Sequence, residues 1–144
     1  MNRYLTTEEK VKELACWERL CADLPPDVPD EGDERGFPDP PMISWCAMLN
    51  ALDGICTMQS CAGHKRADGS LTSGVLWLKL SRNLSARFDC VAFSLAKQPG
   101  IEWVSRLYRG YGEEIASIGF QGNDHSTLDK SMSKILKFLS DLTV

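Results

Sequence analysis

Gly74-Val-Leu-Trp-Leu-Lys-Leu80, followed by Leu84, Phe88, Val91 and Leu95, is the stretch whose reading decides the fold. Leu76, Leu78 and Leu80 recur at every second position and so share one side of an extended chain. From Leu84 the apolar residues recur at steps of three and four, the period of a helix. A strand handing over to a helix is therefore expected here, with the helix following Asn83 and ending at Pro99-Gly100. Upstream, Ile55-Cys-Thr-Met-Gln-Ser60 reads as a strand that Val75 and its neighbours can pair back against, with Cys61 to Ser73 as the loop between them. Downstream, Ile101–Arg109 and Glu114–Gln121 alternate around Gly110-Tyr-Gly112 as a hairpin. A last helix from Asp124 or Ser126 then carries Leu128, Met132, Ile135, Leu139 and Leu142.

The N-terminal third completes the order. Thr6-x-x-Glu9 is a capping box, and Val11, Leu14, Trp17, Cys21 and Leu24 follow it at helical steps, giving a helix over about 7–23. Residues 24–40 form an acidic, Pro-rich linker: six of the seven prolines lie within 25–41, which precludes a continuous helix or central strand. Pro41 is placed to open a second helix with Met42, Trp45, Leu49 and Leu52 on one face and Gly54 as its stop. The order is α-α-β-β-α-β-β-α. It predicts an α+β fold in which helices pack on a single layer of mostly antiparallel four-stranded sheet, as one domain over 1–144 with its body at 41–144.

At 144 residues one real core is attainable. No apolar run approaches the roughly 20 residues needed to cross a bilayer, and the N-terminus lacks a signal-peptide core, so a cytoplasmic, membrane-free protein is expected. The charge is uneven. Residues 23–40 carry seven acids and one Arg, whereas 41–144 hold eleven basic and nine acidic residues. A body so weakly positive gives duplex nucleic acid little to bind. The acidic segment is either a solvated connector or a strap for a partner, with self-association among the readings.

Six cysteines without an export signal or a CxxC pair read as reduced thiols that pack like small hydrophobes; Cys16, Cys21, Cys46 and Cys90 fall in apolar-periodic segments. Cys56 and Cys61 are an odd number of residues apart on the strand, which predicts opposite faces and argues against a chelate, so no metal site is assigned.

Gln59-Ser60-Cys61-Ala62-Gly63-His64-Lys65-Arg66 departs from ordinary packing patterns and sits where a strand meets a loop, a place where sites concentrate. Backbone N–H groups left unpaired by the chain reversal, with Lys65 and Arg66 beside them, would hold a small anionic or nucleotide-like ligand at Ser60, Gly63, His64, Lys65 and Arg66. Alternatively, Cys61 activated by His64 would be a catalytic nucleophile. A third reading makes the turn structural, with Ser60 and His64 bonding it and Cys61 plugging the core. No cofactor is assigned from the residues. His125 reads as part of a helix cap. Arg106, Tyr108 and Arg109 read as exposed strand polars or a ligand surface, and Trp17, Trp45, Trp77 and Trp103 as core or interface anchors.

The run Leu49-Asn50-x-x-x-Gly54-Ile55-x-Thr57-x-x-Ser60-Cys61-x-Gly63-His64 resembles that of small uncharacterised prokaryotic and phage-type proteins, which implies a mobile-element setting. Residues 57–64 also resemble the Ser-x-Ser-Cys-x-Gly segment of the wybutosine-synthesising methyltransferase family, which implies S-adenosylmethionine and a tRNA base as substrates. That family has a serine where this chain has Met58 and an Arg where it has His64.

Overall fold

The computed structural model describes every residue except Met1, Glu31, Asp33, Glu34, His64, Lys65, Leu71, Tyr111 and Asn123. The expected order is observed: α1 (Thr7–Ala22), a 3-10 turn at Pro40–Met42, α2 (Ile43–Asn50), β1 (Ile55–Cys61), β2 (Gly74–Leu80), α3 (Arg82–Ala96), β3 (Ile101–Arg109), β4 (Glu113–Phe120) and α4 (His125–Thr143). The caps explain the helix starts. Thr6 Oγ1 accepts from the Glu9 N–H at 3.1 Å, and Asp124 Oδ1 accepts from the Thr127 N–H at 2.7 Å. The third helix begins earlier than expected because Ser81, not Asn83, caps it through the Leu84 N–H. Among the described residues between α1 and the 3-10 turn no regular element forms, as the prolines dictate.

The strands form one antiparallel sheet in the order β1-β2-β4-β3. Leu76, Leu78 and Leu80 share a face with Ala116, Ile118 and Phe120 of β4. Against that face pack Met42, Cys46 and Leu49, Leu84, Phe88 and Leu95 of α3, and Leu128, Met132, Ile135 and Leu139 of α4. The hydrophobic core is this layer between sheet and helices, with α4 between α2 and α3.

The other face carries Trp77 and Lys79 of β2, Glu113, Ser117 and Gly119 of β4, and Trp103 and Arg109 of β3. Lys79 is fully buried there between Glu9 at 2.7 Å and Glu113 at 2.8 Å. Trp103 lies over Gly119, where any Cβ would intrude on its ring, and donates its indole N–H to Ser117 Oγ at 3.2 Å. Trp103 is 37% exposed, so it anchors the surface of the sheet and not the core.

Two expectations are corrected. Cys16 and Cys90 are exposed, because the apolar period of their helices is broader than the stripe that meets the body. None of the six cysteines is in a disulfide. Cys56 pairs with Lys79 and Cys61 with Val75, two positions on the same side of β2, so both cysteines share a face. A bulge between Thr57 and Gln59 takes up one residue and reverses the simple alternation.

No helix among the described residues is long and apolar enough to cross a membrane.

Candidate functional site

β1 ends at Cys61 because the chain must turn, and Gly63 makes the turn. Its φ of +100° is one that L side chains rarely adopt, and a Cβ there would lie 2.7 Å from the Thr72 carbonyl oxygen. Two N–H groups at this reversal are satisfied by the chain itself. Ala62 donates to the carboxylate of buried Asp39 at 2.8 Å, and Gly63 donates to Cys61 Sγ at 3.4 Å. Further along, Arg66 N–H donates to the Ser70 carbonyl at 2.7 Å and Asp68 accepts from the Ser70 N–H and hydroxyl, closing a small exposed turn. Asp39 thus sits where an anion was expected. His64 and Lys65 lie outside the described residues.

Ser60 and Cys61 are not brought together, since adjacent strand residues point to opposite sides. Burial pushes the Cys61 thiol up and Asp39 pushes it further, against the lowering influence of the Gly63 N–H. A thiolate nucleophile is disfavoured by that environment. Among the described residues no cluster of three or more His, Cys, Asp or Glu is arranged to hold a metal ion.

Ser60 belongs to a different feature, a groove of about 340 Å³ at the outer edge of β1. Trp17 and Leu20 of α1 form one wall, Phe37 and Pro38 of the Pro-rich segment another, and Thr57 to Ser60 the third. Burial raises the pKa of the Cys46 thiol beneath the groove, against the lowering influence of the Ser60 and Thr57 side chains. Arg35 lies with its guanidinium 5.9 Å from the centre of the Phe37 ring and pairs with Asp27 at 3.2 Å, which places a cation beside the groove. The bulge that presents Thr57 to Ser60 here is held by buried Asn50 of α2. Its Oδ1 accepts the Thr57 N–H at 2.8 Å, and its Nδ2 donates to Thr57 Oγ1 at 3.0 Å.

The other marked residues are engaged elsewhere. Arg106 binds Asp89, the Ser85 carbonyl and Glu114 on the helix side, while Arg109 binds Glu113 on the opposite face; Tyr108 is 64% exposed. His125 meets Asp30 at 3.2 Å, tying the start of α4 to the Pro-rich segment. Sequence reasoning found Ser60 but missed Trp17, Phe37 and Asn50 as groove builders. The one available signal was Asn50 within the Leu49-Asn50…Gly54-Ile55 run.

No family model matches the chain, and no curated protein matches it. Among solved structures it is similar in fold to the PH1069 protein from Pyrococcus horikoshii, with 11% sequence identity and a TM-score of 0.51 over 94% of this chain and 85% of that one.

Proposed function

We propose that the protein binds a small ligand with a planar ring and an anionic group, nucleotide-like in its chemistry, in the groove that Ser60 helps to line. The observation that carries this reading is the convergence of Trp17 and Phe37 on one groove with Gln59 and Ser60. Two aromatic side chains offer ring contact, the strand residues offer hydrogen bonds that fix orientation, and the volume lies in the range of small-molecule sites. Arg35, beside Phe37, supplies charge for the anionic part. The ligand therefore sits beside the Gly63 turn and not within it, since Asp39 already takes the Ala62 N–H. The resemblance to the wybutosine-synthesising methyltransferase family points to the same chemistry, because S-adenosylmethionine carries an adenosine.

Titration with adenosine, AMP and S-adenosylmethionine, read by tryptophan fluorescence, tests the proposal. At least one should give a saturable change with a Kd below about 1 mM, lost in Phe37→Ala. AMP should bind more tightly than adenosine, and Arg35→Gln should erase that difference. No saturable response to any of the three would overturn the reading.

A further inference from the structure

Helix α1 supplies Trp17 and Leu20 to the groove, yet none of its 16 residues is buried. Its attachment is concentrated at one end. Just before the helix, the Leu5 N–H donates to the Leu80 carbonyl at 2.8 Å. In the first turn Glu9 pairs with fully buried Lys79 at 2.7 Å, and Lys10 Nζ then donates to the Leu52 carbonyl at 2.6 Å. Beyond Lys10, among the described residues, no side-chain hydrogen bond or ion pair joins α1 to the rest of the molecule, and the Arg19 and Cys21 carbonyls accept from the next residues, Asp23 and Leu24; Trp17 packed against the core holds the second half. Val11 is 65% exposed and Leu20 37% exposed. A helix pinned at its first turn and held beyond it chiefly by one large side chain has little burial to lose on opening.

We propose that α1 is a flap over the groove, hinged at the Glu9–Lys79 pin, whose second half opens to admit the ligand and closes on it through Trp17. The proposal deepens the groove reading and rests on it for the identity of what is admitted, but the motion itself is a property of the ligand-free chain. Closure over a planar ring would add the contact of Trp17 to the bound state only, so a ligand shifts the flap toward closed by its preference for that state. The pin explains why the motion is hinged. Lys79 also binds Glu113, so withdrawing Glu9 would leave a buried ammonium with one carboxylate already shared with Arg109.

Native-state hydrogen exchange on the full chain tests this without a ligand. Amides of Glu13–Ala22 should show protection lower by roughly tenfold or more than those of Ile115–Ile118 in β4, and should be insensitive to low urea, the mark of local opening. Glu9→Gln should extend the fast exchange to Lys10–Lys12, lowering their protection by more than the uniform loss that a less complete Lys79 network brings to β4. Protection of α1 within tenfold of β4, or a urea dependence equal to that of β4, would overturn the flap; a loss of protection at Lys10–Lys12 no greater than that of β4 in the variant would overturn the hinge. Repeating the measurement with saturating AMP should slow exchange in α1. If AMP causes neither a fluorescence change nor slower exchange while the ligand-free result holds, the groove reading loses that support and the motion stands.

Discussion

Lys79 shows how much one buried charge can organise. Its side chain is fully inaccessible, lies between Glu9 and Glu113, and reaches Arg109 through Glu113. Such a network offsets the cost of desolvation only while complete. Glu113→Ala should lower stability by about 3–5 kcal/mol in urea denaturation; a loss under about 1 kcal/mol would mean the ammonium is compensated otherwise. Burial alone would raise the Glu113 carboxyl, but hydrogen bonds from Lys79 and Arg109 outweigh it and hold the pKa below its ordinary 4.5. A depressed folded-state pKa stabilises the protein above the unfolded value, so this contribution should disappear as pH falls from about 4.5 through the folded value, and stability in Glu113→Gln should depend less on pH over that window. The thiols offer a second check. Burial pushes Cys56 up to about 11, whereas Cys16 and Cys90 are exposed. Iodoacetamide at pH 8 should label Cys16 and Cys90 first and Cys56 last, and fast labelling at Cys61 would restore the nucleophile reading.

At the level of elements, Asn50 is the residue on which β1 depends. Both ends of its amide bond Thr57, next to the bulge that turns Cys56 and Cys61 to one face. Asn50→Ala should cost about 1–3 kcal/mol, because it removes a buried partner from a backbone donor, and should speed exchange of the Thr57 amide. An unchanged Thr57 amide would show that the bulge holds without Asn50. Gly63→Val should destabilise by more than about 1 kcal/mol, since it combines an unfavourable φ with a clash at the Thr72 carbonyl; thermal unfolding equal to wild type would contradict that. Strands and helices were legible because each carries its own period: Leu76, Leu78 and Leu80 announce β2 without help from elsewhere. The bulge was not, because its cause lies in a side chain of another element, and parity counting from Cys56 to Cys61 therefore failed.

The molecule as a whole places three helices on one face of the sheet and leaves α1 to border β1. The groove arises where residues 17–20, 36–38 and 57–60 meet, three segments that no local pattern connects. This is why Ser60 could be singled out from its strand-end position, whereas Trp17 read only as an apolar helix residue and Phe37 lay in a segment whose prolines concealed any role beyond linking. The loop cations drew attention to the Gly63 turn, but buried Asp39 had no local signature to mark it as the group that takes the Ala62 N–H. Amide chemical-shift mapping with AMP separates groove from turn most directly. Shifts concentrated at Trp17–Leu20, Arg35–Phe37 and Thr57–Ser60 are the expected result, whereas shifts centred on Arg66–Ser70, or on Trp77 and Trp103 of the open sheet face, would contradict the account.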